Sequence, residues 1–222
     1  MGSDRLWCPL AGYRSVQATL ELLMMSPLVY SDTGAEIAFY AVVGVFVVLE
    51  QVTRVRSVLN RDGNRRDEGS FYLLVVFIGV GLAGAFVIAS LVPGAAVTGA
   101  WRWVTFIAGM VLMVAGIVLR QWSVALLGRS FTVDVRVKAG QTVVDTGPYR
   151  WVRHPSYTGM LITFAGIGLA LGNGLSLVCA VLVSCIGLVR RVRVEERALL
   201  DGLGDPYRRY ATGRARLIPN LW

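Results

Sequence analysis

The chain has 222 residues, 55% of them hydrophobic and only 16% charged, with a mean hydropathy of +0.59. That is more apolar surface than a soluble core would hide, so a soluble domain and a disordered chain are both excluded, and an integral membrane protein is expected. The 22 Lys and Arg against 14 Asp and Glu leave a net charge of +8; in a membrane chain this is a topology signal and an attraction to anionic headgroups, and nucleic-acid binding is not expected.

In chain order, residues 1–33 are interrupted by Pro9, Arg14, Glu21 and Pro27. They read as a segment lying at the membrane surface, not as a span. Asp4 stands where a signal peptide would be basic, so no signal peptide is expected. Residues 34–127 hold three spans, Gly34–Val52, Phe71–Val92 and Trp101 to about Leu119, since a bilayer core needs roughly 20 apolar residues in helical form. Within the second, Gly79-Val80-Gly81-Leu82-Ala83-Gly84 matches a dinucleotide-binding glycine pattern. It lacks the strand before it and the acidic residue after it, so it reads as a small-residue face for helix packing. Gly168-Leu169-Ala170-Leu171-Gly172 reads the same way.

Residues 128–222 form the third part. Phe131–Val144 is rich in valine and expected to be extended, ending at the turn signal Asp145-Thr146-Gly147-Pro148. Tyr157–Leu171 and Leu175–Val189, joined by Gly172-Asn173-Gly174, predict a tight helical hairpin over about 156–190, with Pro155 in the first turn of its leading helix. The fold class is thus all-α, with about five transmembrane helices. Arginines crowd the loop after the first span, the segment before the hairpin and the tail, while the intervening turns carry none. This orients the amino terminus outside and the carboxyl terminus in the cytoplasm. Cys179 and Cys185 lie in the last apolar run and Cys8 near the start, with no spacing for a disulfide framework or a metal site.

Two clusters carry candidate chemistry. The only histidine, His154, stands between Arg153 and Pro155 at the foot of the hairpin, where a helix amino terminus favours an anionic group. Beyond the hairpin, Arg190-Arg191-Val192-Arg193-Val194-Glu195-Glu196-Arg197 continues a helix out of the membrane, with Arg191 and Glu195 on one face and Arg193 and Arg197 on another. Spacing alone allows a solvated helix whose surface ion pairs contribute little.

The segments QTVVDTGPYRWVRHPSYTG (141–159) and RRVRVEERALLDGLGDPYRRYATGRARLIP (190–219) closely resemble, in the same order, the isoprenylcysteine carboxyl methyltransferase family and its phospholipid methyltransferase relatives. The match covers roughly the last 90 residues; the first 100 agree only in being helical and apolar. The resemblance implies a membrane enzyme that binds S-adenosylmethionine, and releases S-adenosylhomocysteine, in a cytoplasmic pocket of the carboxyl-terminal region. It implies that His154, Tyr157 and Glu195 line that pocket, and that Pro155 and Gly159 shape the turn around it. Arg191 and Glu196 then act at the substrate, and Gly204, Tyr207 and Tyr210 form a cap.

The chemistry of these residue types agrees. Glu195 can attract the sulfonium and ammonium of the donor, Tyr157 and Tyr207 offer aromatic faces, and Arg153 or the helix start can hold its carboxylate. A carboxylate acceptor is already ionised at pH 7; Arg191 would orient it by paired hydrogen bonds and Glu196 would hold Arg191 or line the approach. An amine acceptor would need His154 or Glu196 as a proton acceptor. The expected acceptor is lipidic or amphiphilic: an isoprenyl thioether, a fatty acid, a phospholipid amine or a small thiol. The arginine-, valine- and alanine-rich composition points to a bacterial inner membrane. A membrane reductase of the sterol type using NADPH and a non-enzymatic scaffold are the competing classes; carboxylates at Glu195 and Glu196 would repel a pyrophosphate and argue against the first.

Overall fold

The computed structural model describes residues 26–59, 64–65, 69–128, 131, 136–137 and 142–219. The helices are α1 (Leu28–Ser31), α2 (Thr33–Leu59), α3 (Ser70–Leu91), α4 (Trp101–Leu127), α5 (Pro155–Ala170), α6 (Gly174–Leu203) and α7 (Asp205–Ala211). One-turn 3₁₀ helices cover Pro93–Ala95 and Gly147–Arg150. Two short strands, β1 (Asn64–Arg65) and β2 (Arg136–Val137), pair antiparallel. The surface segment expected over residues 1–33 falls largely outside the described residues. So does most of the expected extended stretch 131–144, of which residues 131, 136–137 (β2) and 142–144 are described.

Four helices, α2, α3, α4 and α6, are long and apolar enough to cross a membrane. The first arm of the hairpin, α5, has 16 residues; at 1.5 Å per residue it reaches only about 24 Å of a roughly 30 Å hydrocarbon core. The described helices therefore comprise four full spans and one short arm. Large apolar side chains on all four spans stay exposed, among them Val48, Val87, Val111 and Ile186, as a chain solvated by lipid requires. Two spans run past the expected ends. Helix α4 continues from Leu119 to Leu127 because Arg120, the charge at the apparent boundary, is paired inside the protein to Glu50 of α2.

Glycine sets the packing of the hairpin. On α4 and α5, a Cβ at Gly116 would lie 2.5 Å from Thr163 Oγ1, one at Gly159 2.7 Å from the Arg120 amide nitrogen, and one at Gly166 2.6 Å from that of Met113. The two backbones therefore touch, as small residues in membrane helices allow. Gly159 is a packing residue of α5 and forms no turn, which corrects the role expected of it. On α3, Gly81 meets Ser184 of α6 in the same way, at 2.9 Å, whereas Gly79 faces open space. At the opposite end of the bundle from His154, Asn173 caps α6 through the amides of Leu175 and Ser176, both at 3.1 Å, and donates from Nδ2 to the Val92 carbonyl at 2.8 Å. The hairpin turn is thereby tied to the end of α3.

Helix α2 packs on α4, and α3 packs on α6. Between them α2 and α3 meet near their two ends, where the Phe39 and Phe86 rings lie 6.1 Å apart and where Arg54 lies over the Phe71 ring at 5.4 Å. A cavity of about 290 Å³ occupies the space between these contacts.

Candidate active site

The Arg-His-Pro turn enters α5 with Pro155 at the first helical position and His154 as the N-cap residue, a place where the missing proline N–H costs nothing. A later stretch of chain clamps this turn. The Arg153 amide donates to the Ala215 carbonyl at 2.8 Å, the His154 amide to the Arg216 carbonyl at 3.0 Å, and Thr158 Oγ1 to the Leu217 carbonyl at 2.7 Å. Residues 214–217 thus complete the site by running parallel to the turn, a contribution that the sequence motif did not disclose.

The apolar stretch of α6 ends at Val189, and the charged extension beyond it divides its residues between two networks. In the first, Glu196 accepts from Arg153 Nη1 at 2.7 Å and from Arg216 Nε at 2.8 Å. His154 Nε2 lies 3.4 Å from the same carboxylate. Burial pushes the Glu196 pKa up, but the nearby His154 imidazole and the Arg216 and Arg153 guanidinium groups outweigh it and hold the carboxyl at about 2. Of the two roles expected of Glu196, holding Arg191 or lining the approach, the first is not seen: its partners among the described residues are Arg153, Arg216 and His154. Arg153 is likewise committed to Glu196 and, through Nε, to the Arg214 carbonyl at 3.0 Å. The reason is helical geometry: adjacent residues such as Glu195 and Glu196 diverge by about 100° around the axis, so only one of them can face the clamp.

In the second network, Tyr157 of α5 donates its hydroxyl to Glu195 Oε2 at 2.7 Å and accepts from Arg191 Nε at 3.3 Å. Arg191 is 2% exposed and also donates from Nη1 to Ser70 Oγ at 2.7 Å. Glu195, half-buried, makes no ion pair among the described residues. The third member of the aromatic group is Tyr207 of α7, buried, with a hydroxyl that finds no partner among the described residues. Burial, then the charges of Glu196 and Glu195, push its phenol well above the usual tyrosine range. Tyr210 instead donates to the Tyr149 carbonyl at 2.9 Å and lies under the Arg214 guanidinium at 4.5 Å; its pKa rises to about 12 through burial, against the lowering charges of Arg214 and Arg153. Tyr210 braces the clamp and offers no free hydroxyl. Gly204 ends α6 with φ +59°, a left-handed conformation suited to glycine.

Arg191 and Tyr157 also line the cavity between α2 and α3. Its apolar part is formed by Phe46, Leu74, Ile78, Met160 and Phe164, and its polar end by Glu50, Gln51, Arg54, Arg120, Tyr157 and Arg191. Arg120 donates bidentately to Glu50, from Nε to Oε1 and from Nη2 to Oε2 at 2.7 Å, and from Nη1 to the Ser156 carbonyl at 3.4 Å. Glu50, Arg54 and Arg120 were not among the residues expected at the site. Their signal was available, because an ionisable residue within or at the edge of an apolar span is costly there and marks a functional position.

Apolar helices around a cavity that ends in a cluster of charged side chains define an integral membrane protein with a candidate ligand site. The family profile described as Phospholipid methyltransferase matches residues 104–205. The probable protein-S-isoprenylcysteine O-methyltransferase of Oryza sativa subsp. indica is 35% identical over 111 residues, 49% of this chain and 58% of the relative. The protein-S-isoprenylcysteine O-methyltransferase of Saccharomyces cerevisiae is 36% identical over 104 residues, 46% of this chain and 44% of the relative. That of Schizosaccharomyces pombe is 28% identical over 191 residues, 78% of each chain. The solved structure of the eukaryotic intramembrane Ras methyltransferase ICMT shares the fold, with a TM-score of 0.59 at 21% identity over 91% of this chain and 74% of that one. The matched region spans about half the length of the rice and budding-yeast relatives.

Proposed function

We infer that the protein is an S-adenosylmethionine-dependent membrane methyltransferase that methylates the carboxylate of a lipidic, isoprenyl-thioether-like acceptor. One observation carries this reading: a single phenol, Tyr157, stands between a carboxylate that makes no ion pair among the described residues, Glu195, and a buried guanidinium at the head of an apolar cavity, Arg191. The first suits a cationic donor and the second an anionic acceptor, so one site holds complementary partners for both.

The residues present fit the donor. The buried hydroxyl of Tyr207 makes no hydrogen bond among the described residues, and a buried polar atom left this way is satisfied by a ligand or a water. Glu195, Tyr157, His154 and Tyr207 would hold S-adenosylmethionine, which when bound supplies a methyl group activated by its sulfonium. Glu195 provides the negative charge toward the sulfonium and ammonium, and the tyrosine rings provide faces for cation and adenine contacts. Arg153 is already filled by Glu196, so the donor's carboxylate falls to the amino terminus of α5.

At the acceptor side, Arg191 orients an ionised carboxylate that requires no base at pH 7, while the apolar walls admit the tail and exclude water. Holding both reactants in this way supplies most of what such a transfer asks of a protein. Arginines at 54, 120 and 191 against the one carboxylate of Glu50 favour an anionic head over an amine. The seam between α2 and α3 gives a lipid tail access from the bilayer. By the arginine distribution, the site faces the cytoplasm.

Calorimetry on the detergent-purified protein tests the donor, with S-adenosylmethionine, S-adenosylhomocysteine and NADPH side by side. Transfer of a labelled methyl group to an S-farnesyl cysteine carboxylate tests the acceptor. Adenosyl ligands binding at micromolar concentration, with label in a base-labile ester, is the expected result. Binding of NADPH alone overturns the reading, and label in an amine overturns the acceptor class.

A further inference from the structure

Glu50 is out of place in a cavity that receives an anion. Its carboxylate stands at the polar end beside three guanidinium groups, and like-charge contact with an anionic head costs affinity. Both of its oxygens are taken by Arg120, and Arg120 is itself buried. The edge of Arg120 formed by Nε and Nη2, which a phosphate or a second carboxylate would grip bidentately, is therefore filled by a group of the protein. Its Nη1 reaches the Ser156 carbonyl.

We propose that Glu50 is a specificity-determining residue that sets the charge of the acceptor head, admitting one negative charge and rejecting two. A single carboxylate at the polar end meets the guanidinium groups of Arg54 and Arg191 that line it. A second negative charge would lie against Glu50 and find the fork of Arg120 withheld. Repulsion and the withheld fork act in the same direction, as specificity built by penalising the wrong ligand does. The surrounding bilayer makes such a filter useful, since phosphate is the commonest anionic group on lipids at that depth. This rests on reading the cavity as the acceptor site. A purely structural Glu50, tying α2 to α4 and α5, predicts altered stability with no change in ligand preference.

The test uses the full chain in phosphatidylcholine nanodiscs at pH 8, with decanoate as a monoanion and decyl phosphate as a dianion, because a phosphate monoester has its second pKa near about 6. Binding of S-adenosylhomocysteine is measured on the same samples. The wild type prefers decanoate, and Glu50→Gln, whose amide oxygen still accepts from Arg120, narrows that preference about tenfold by tightening decyl phosphate. An equal shift for both ligands, or none, overturns the proposal. If Glu50→Gln loses S-adenosylhomocysteine as well and so has not folded, Glu50→Asp decides: it keeps the charge and must keep the preference, and its loss overturns the filter. A wild type that binds S-adenosylhomocysteine but neither amphiphile removes the filter and leaves the donor reading standing; one that binds no S-adenosylhomocysteine removes the donor reading itself.

Discussion

Arg191 and Glu195 lie one helical turn apart on α6, with opposite charges, and form no ion pair; the hydroxyl of Tyr157 bonds to both. Each charge is thereby held in place through one shared phenol without pairing with the other.

Glu195 and its neighbour Glu196 should consequently behave as opposites. Glu195→Gln is expected to leave the melting temperature of the purified protein within a degree or two and to weaken S-adenosylhomocysteine at least about tenfold, the loss of one charge-assisted contact. Glu196→Gln removes the shared partner of Arg153 and Arg216. Its expected cost is roughly 2–3 kcal/mol of stability, below the figure for a fully buried pair because Arg216 is about a third exposed. Melting curves and calorimetry on both variants check the contrast; equal behaviour would sink it.

The pH dependence follows from Glu196. Its carboxyl sits at about 2 in the folded protein against an ordinary value of 4.5, so its contribution is fully present above pH 4.5 and is lost as pH falls from there toward 2. The melting temperature should fall through that window, and the Glu196→Gln protein should show a shallower fall. A wild-type profile that is flat between pH 5 and 3 contradicts the assignment.

Tyr207 offers a third check. Its buried hydroxyl has no partner among the described residues, so Tyr207→Phe removes an unsatisfied group and should leave stability unchanged or slightly raised. If that hydroxyl serves the donor, affinity for S-adenosylhomocysteine drops about fivefold to tenfold, on the order of 1 kcal/mol. A stable variant with undiminished affinity would remove Tyr207 from the pocket.

Alanine at glycines separates packing from open space. A Cβ at Gly116 falls against Thr163 and the Gly159 carbonyl, whereas Gly79 has nothing within 4 Å. Gly116→Ala is expected to cost about 1–3 kcal/mol through overpacking, read as a lower melting temperature, and Gly79→Ala to be tolerated.

The helices were legible because apolar length in a membrane chain leaves few alternatives to a helix. The boundary at Leu119 was misplaced because a charge usually ends a span, and only the fold supplies Glu50 as the partner of Arg120. Of the motif residues, Tyr157, Arg191 and Glu195 meet in one hydrogen-bonded network, and the His154 ring stacks on that of Tyr157 at 5.8 Å. The partners of Glu196 were not legible: Arg153 lies 43 positions earlier and Arg216 20 later, and no helical period connects them. The dinucleotide-like glycines were correctly read as packing only in part, since Gly81 meets α6 while Gly79 borders the cavity.

The clamp of residues 214–217 on the turn at 153–154 imposes an order on biogenesis. The whole hairpin lies between the two strands of this clamp, so the turn at 153–154 gains its backbone partners only once the chain beyond α7 has been synthesised. A chain cut short of residue 214 carries the motif residues of the turn without the carbonyls that hold it.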